Sequence, residues 1–261
     1  MREHHRQACD RLVAEFEGDP SFRAVILSGS VSRDWARDDS DVDLILIATD
    51  EEYARRRRSD DIHYLNTEVC DYDGGYAEGK VIPLSFLEEV ADHGSEPARA
   101  AFVGNRILFS RIPELEALLA RAAAYPEEER IPKLQSFYAH FLIYYWYVGE
   151  ALRWDDRYLL TQATANFVLF AGRLILAHNH MLYPYHKWFM HELRRAPERP
   201  DDLIERVETM LEQPCQQNAD ALLTSVVNFR EWEKPTTDVA TRFMEESEWN
   251  WREGRTPIGD S

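Results

Sequence analysis

The hydrophobic rhythm of this chain changes near its middle. Up to about residue 111, short apolar runs alternate with helix-period stretches. From residue 133 onward the strand signal all but disappears. In the first part, Ala8, Leu12, Val13 and Phe16 share one face of an amphipathic helix over residues 2–18, which Gly18-Asp19-Pro20 ends. Ala24-Val25-Ile26-Leu27 is an apolar run of the kind that forms a buried strand. A second strand starts at Asp41-Val42-Asp43 and runs on through Leu44-Ile45-Leu46-Ile47. Between them Gly29-Ser30 turns the chain, and a short helix is expected around residues 31–37. Thr49 and Glu52 form a Thr-x-x-Glu capping box that opens a helix over 50–59. Strands are expected at 62–72 and 76–83, joined as a hairpin through Asp73-Gly74-Gly75. Ser85 and Glu88 form a second capping box, for a helix that Gly94 closes. A helix near 96–103 and a strand at Arg106-Ile107-Leu108-Phe109 complete this part.

Beyond it, Ile112-Pro113 starts a helix and residues 124–130 form a polar linker. Residues 133–153 predict a long helix rich in aromatic side chains, first of all bundle core and secondarily a substrate wall. Another long helix is predicted over 157–182, with more near 201–212 and 216–233. The fold class is therefore α/β (α+β). A mixed-sheet domain spans 1–111, a connecting helix and linker 112–132, and a helical bundle 133–261. The charged tail from Glu245 to Ser261, with Trp249 and Trp251, is either a loose end or docked on the bundle.

Composition narrows the function. An apolar fraction of 44% supports real cores. No run of eighteen apolar residues occurs, so no membrane helix is expected. Met1-Arg2-Glu3-His4-His5-Arg6 lacks the apolar core of a signal peptide, and Cys9, Cys70 and Cys215 show no metal or redox spacing. These features point to a reducing cytoplasm. A net charge of −17 opposes nucleic-acid binding, which needs a basic footprint. It favours a cationic acceptor, although plain solubility explains it equally well.

The candidate chemistry sits at Gly29-Ser30 and Asp41-Val42-Asp43. The tight turn exposes backbone N–H groups and one hydroxyl, a ready anion site. Asp41 and Asp43 are two apart on a strand, so they point to the same side. Two carboxylates beside a phosphate cradle suit Mg²⁺. Arg55-Arg56-Arg57-Arg58 reads as a solvated helix face, with phosphate contact as the alternative. His178, His180, His186 and His191 lack the spacing of a metal motif and read as ordinary core or surface histidines.

Gly29-Ser30-Val31-Ser32-Arg33-Asp34 followed by Ser40-Asp41-Val42-Asp43-Leu44 resembles the signature of nucleotidyltransferases of the DNA polymerase β superfamily. It is most similar to the branch of aminoglycoside and minimal nucleotidyltransferases. The matching segment is about a tenth of the chain. It departs from the pattern at Asp34, where many relatives have glycine.

The resemblance implies a catalytic and metal-binding set of Asp41, Asp43 and a third carboxylate on a later strand. Glu78 fits that place, with Asp71 and Asp73 as competitors. The bland alternative for Glu78 is a surface pair with Lys80. It also implies nucleotide contacts from Gly29, Ser30, Arg33 and Ser40, and from Lys187 in the bundle. Arg33 serves equally well as a structural ion-pair partner. The implied reaction transfers AMP from ATP, with Mg²⁺, to a hydroxyl of a small, aminoglycoside-like acceptor chosen by the bundle. Rival readings are a protein adenylyltransferase and a non-catalytic, antitoxin-like binding protein.

Overall fold

The computed structural model describes residues 1–254. The chain forms two compact units, Met1–Ala124 and a second that begins at Tyr125. The first contains α1 (Glu3–Glu17), β1 (Phe22–Leu27), the single turn α2 (Gly29–Ser32), β2 (Val42–Ala48) and α3 (Asp50–Arg58). It continues through β3 (His63–Asn66), β4 (Ala77–Pro83), α4 (Leu84–His93), α5 (Glu96–Ala100), β5 (Arg106–Ser110) and α6 (Leu115–Ala122).

The five strands form one mixed sheet in the order β3-β4-β2-β1-β5. Only β2 and β4 pair in parallel; the other neighbours are antiparallel. Strand alternation sorts the side chains into two cores. Val42, Leu44 and Leu46 of β2 join Leu12 and Phe16 of α1 on one face. Ile45 and Ile47 join Leu87 and Val90 of α4 and Leu115 and Leu119 of α6 on the other. Each such buried aliphatic side chain contributes about 1.5–3 kcal/mol, which makes β2 the central strand energetically as well as topologically. The same alternation puts Asp43 on the Ile45 face, at the end of the strand.

Local signals set the element ends. Thr49 caps α3 as its spacing predicts, accepting from the Glu52 backbone N–H at 3.3 Å. Ser85, by contrast, is not a cap: α4 starts at Leu84 with Pro83 as N-cap, and no side chain closes its first turn. Proline's fixed φ lets the strand run straight into the helix, so Ser85 falls inside it. The strand expected over 62–72 is also shorter, ending at Asn66. The Asn66 side chain accepts from the N–H groups of Glu68 and Val69, both at 3.0 Å, and turns the chain away. The connection to β4 is thus a long loop and not a tight hairpin. Arg99, a buried cation the pattern did not single out, donates to the carbonyls of Gly94 and Ala91 at the end of α4 and of Arg121 near the end of α6. It satisfies helix-end carbonyls that burial would otherwise strand.

Among the described residues the second unit has helices and no strand: α7 (Arg130–Trp154), α8 (Arg157–His178), α9 (Phe189–Arg195), α10 (Leu203–Glu212), α11 (Gln216–Phe229) and α12 (Val239–Glu246). The aromatic stripe of α7 is core, with Phe141 stacked on Phe167 of α8 at 4.7 Å between centroids. The helix α8 is long and apolar enough to cross a membrane. In the structure it is the central helix of the bundle, burying Phe167, Ala171, Leu174 and Ile175. The helix α12, which the hydrophobic pattern did not suggest, docks the tail onto the bundle. Phe243 packs on the His140 and Tyr144 rings, and Ser136 donates to Glu246 at 2.7 Å. Residues 255–261 of the tail lie outside the described residues.

Candidate active site

Strand pairing brings the acidic groups together. In the parallel β2–β4 ladder, Val42 lies opposite Ala77 and Asp43 opposite Glu78. One step earlier the Val42 N–H donates to the Tyr76 carbonyl at 2.9 Å, placing Asp41 beside Tyr76. Alternation puts all four side chains on one side of the sheet. Asp41, Asp43 and Glu78 each present a carboxylate oxygen within 4.8 Å of the others, and all three are half-buried. Among the described residues they form a three-acid cluster of metal-binding dimensions.

The turn after β1 closes over this cluster. The Ser28 N–H donates to the Asp43 carbonyl at 2.9 Å, which pins the turn to the strand. Gly29 then takes φ +66° with its backbone against Asp43. A Cβ there would lie 1.7 Å from the Asp43 carboxylate. Only glycine meets both demands, a left-handed backbone and a clear approach to the carboxylate. The departure at Asp34 has a structural reading as well. Asp34 adopts φ +60°, the conformation that favours glycine, and its carboxylate pairs with Arg106 at 2.6 Å.

The remaining predicted residues lie as follows. Ser30 is half-exposed in the one-turn α2. Ser40 caps its own loop, accepting from the Arg37 N–H at 2.9 Å, while its carbonyl accepts from the Tyr72 hydroxyl at 2.8 Å. Arg33 donates to the carbonyls of Ala100 at 2.6 Å and Val103 at 2.9 Å, so its guanidinium is engaged in joining α2 to the chain before β5. Asp71 pairs with Arg11 at 2.6 Å, and neither it nor Asp73 belongs to the cluster. The neighbour of Glu78 is His63 on β3, 3.7 Å away, and no Glu78–Lys80 pair forms among the described residues. Lys187 belongs to the second unit, where it is exposed and near the Trp188 ring. The four histidines have separate partners. His178 meets Glu198, His180 meets Glu127, His186 meets Tyr183 and His191 meets Arg195.

Sequence reasoning missed Tyr76. The charge of Asp41, then that of Glu78, holds its phenol above the ordinary tyrosine value. Its place two residues before Glu78, at the start of the strand expected over 76–83, was the available signal. The arrangement offers three hard oxygen ligands, the kind of donor Mg²⁺ accepts.

Comparison with known proteins bears on the fold. The chain is similar to the crystal structure of a nucleotidyltransferase-like protein from Exiguobacterium sibiricum 255-15, at 15% identity and a TM-score of 0.50, covering 95% of this chain and 79% of that one. This chain therefore has a nucleotidyltransferase-like fold. A family model described as a domain of unknown function, DUF4037, matches residues 95–189. That stretch contains none of the three clustered carboxylates. No curated protein matches the sequence.

Proposed function

We propose that this protein is a Mg²⁺-dependent nucleotidyltransferase that moves a nucleoside monophosphate, AMP from ATP, to a hydroxyl of a small acceptor. The observation that carries the reading is the convergence of Asp41, Asp43 and Glu78 on one side of a sheet with a nucleotidyltransferase-like fold. Asp41, Asp43 and Glu78 would hold the metal, which when bound would neutralise charge on the phosphate oxygens and the leaving group. The acceptor oxygen attacks the α-phosphorus; one P–O bond forms as the bond to pyrophosphate breaks.

The chain's own contributions follow from its geometry. The Gly29-Ser30 turn would present backbone N–H groups to a phosphate, and the missing side chain at Gly29 lets that backbone lie against the Asp43 carboxylate. Glu78, with His63 beside it, would take the proton of the attacking hydroxyl. Arg33 is left out of this scheme, because its guanidinium is bound to backbone carbonyls. A phosphate contact from Lys187 is proposed on the sequence resemblance alone. The acidic net charge favours a cationic acceptor, aminoglycoside-like in chemistry. An antitoxin-like binding role is disfavoured by the complete carboxylate set.

Calorimetric titration with ATP tests the nucleotide half of the proposal. Binding should require Mg²⁺ and weaken on Lys187→Ala. Affinity indifferent to Mg²⁺ would argue against a metal held by the three carboxylates.

A further inference from the structure

The helical unit has a cavity of its own, of about 530 Å³, between α7, α8 and the chain after α12. That volume lies within the usual range of small-molecule sites. Three rings form its wall. Tyr144 and Phe243 meet edge to face at 5.7 Å, Tyr144 and Tyr147 lie 6.0 Å apart, and Tyr147 and Phe243 6.1 Å. Trp251, 62% exposed, forms the rim. Gln162 lines the cavity from α8.

The charge in this lining is of one sign. Glu248 contributes an exposed carboxylate, and among the described residues no lysine or arginine lines the cavity. Two arginines are chain neighbours of lining residues: Arg242, next to Phe243, is paired with Glu246 at 2.6 Å, and Arg252, next to Trp251, is exposed. Glu248 enters no ion pair among the described residues. Anionic ligands are therefore disfavoured. A neutral apolar ligand would use the rings but not the carboxylate. An organic cation uses both, because aromatic faces attract positive charge and the attraction grows as the cation loses water.

We propose that this cavity is a binding site for a small organic ammonium compound, held against the rings of Tyr144, Tyr147, Phe243 and Trp251 and balanced by Glu248. The site lies wholly within the helical unit and does not depend on the reaction assigned to the three clustered carboxylates.

The probe is choline, compared with its neutral isostere in which carbon replaces the quaternary nitrogen. The two have the same shape and differ in charge. Ligand-observed NMR titration of the intact protein measures both. Choline should bind about tenfold more tightly than the isostere. Glu248→Gln should remove most of that preference while leaving the weak binding of the isostere unchanged. Trp251→Leu, at an exposed position, should weaken choline binding without unfolding the protein. Equal affinity for the two compounds, no binding of either, or a full cation preference in Glu248→Gln would each overturn the proposal.

Discussion

Asp43 and Glu78 face each other in register across the parallel β2–β4 pair, although thirty-four residues separate them in the chain. The pairing turns a two-residue sequence motif into a three-carboxylate cluster. Because the pair is held by the sheet ladder, the carboxylates stay at metal-binding spacing without a loop to order. Glu78→Gln should preserve the fold and lower Mg²⁺ affinity by more than the roughly 10–100-fold typical of residues that only support a ligand. Mn²⁺ titration followed by electron paramagnetic resonance measures this, with circular dichroism as the check on folding. Metal affinity equal to the parent protein would remove Glu78 from the set.

Gly29 is the most constrained position of the turn. Gly29→Ala meets both the cost of a left-handed backbone, about 1–2 kcal/mol, and a clash with the Asp43 carboxylate. Denaturant unfolding should show at least that loss, and ATP binding should fall further than stability does. An alanine variant with parent stability and parent ATP affinity would contradict the geometry of the turn.

Arg33 distinguishes a structural from a phosphate role. Its two bonds to the carbonyls of Ala100 and Val103 predict that Arg33→Ala loses stability, by about 1.5–3 kcal/mol. ATP affinity of the remaining folded protein should be unchanged. A variant with normal stability and weakened ATP binding would restore the phosphate contact that the sequence resemblance implies.

The second unit carries a pH dependence. Burial holds His140 below the ordinary histidine value, against the opposing bond to the Ser136 carbonyl and the charge of Glu246. Unfolding exposes it, so the unfolded chain binds the extra proton first. The stability His140 supports is present above about pH 6.5 and is lost as pH falls below it. Buried His5 in the first unit has the same sign. Thermal unfolding between pH 7.5 and 5.5 should show a falling midpoint, and His140→Phe should flatten the slope. An unchanged slope would mean that His140 does not titrate differently on folding.

Much of this was legible in the sequence because the signals were local. The Gly29-Ser30 turn, the same-side placement of Asp41 and Asp43 and the Thr49 cap all follow from spacings of a few residues. Glu78 was legible only through family likeness, since nothing local tells which later strand lies beside β2. The early end of β3 depends on the Asn66 side chain outcompeting the ladder, and the fate of Arg33 on carbonyls about seventy residues away. Phe243 and α12 were missed because a short helix shows its apolar face only once there is a bundle to receive it. Tyr76 was missed for a different reason: attention to acids passed over the neutral side chain placed beside Asp41.

The most direct test of the central claim is pyrophosphate release from ATP. The intact protein, Mg²⁺ and a panel of small cationic hydroxyl compounds are assayed beside the Asp43→Asn variant. The account predicts acceptor-dependent release that needs Mg²⁺ and that the variant abolishes while keeping its fold. Release by Asp43→Asn at the parent rate would contradict it.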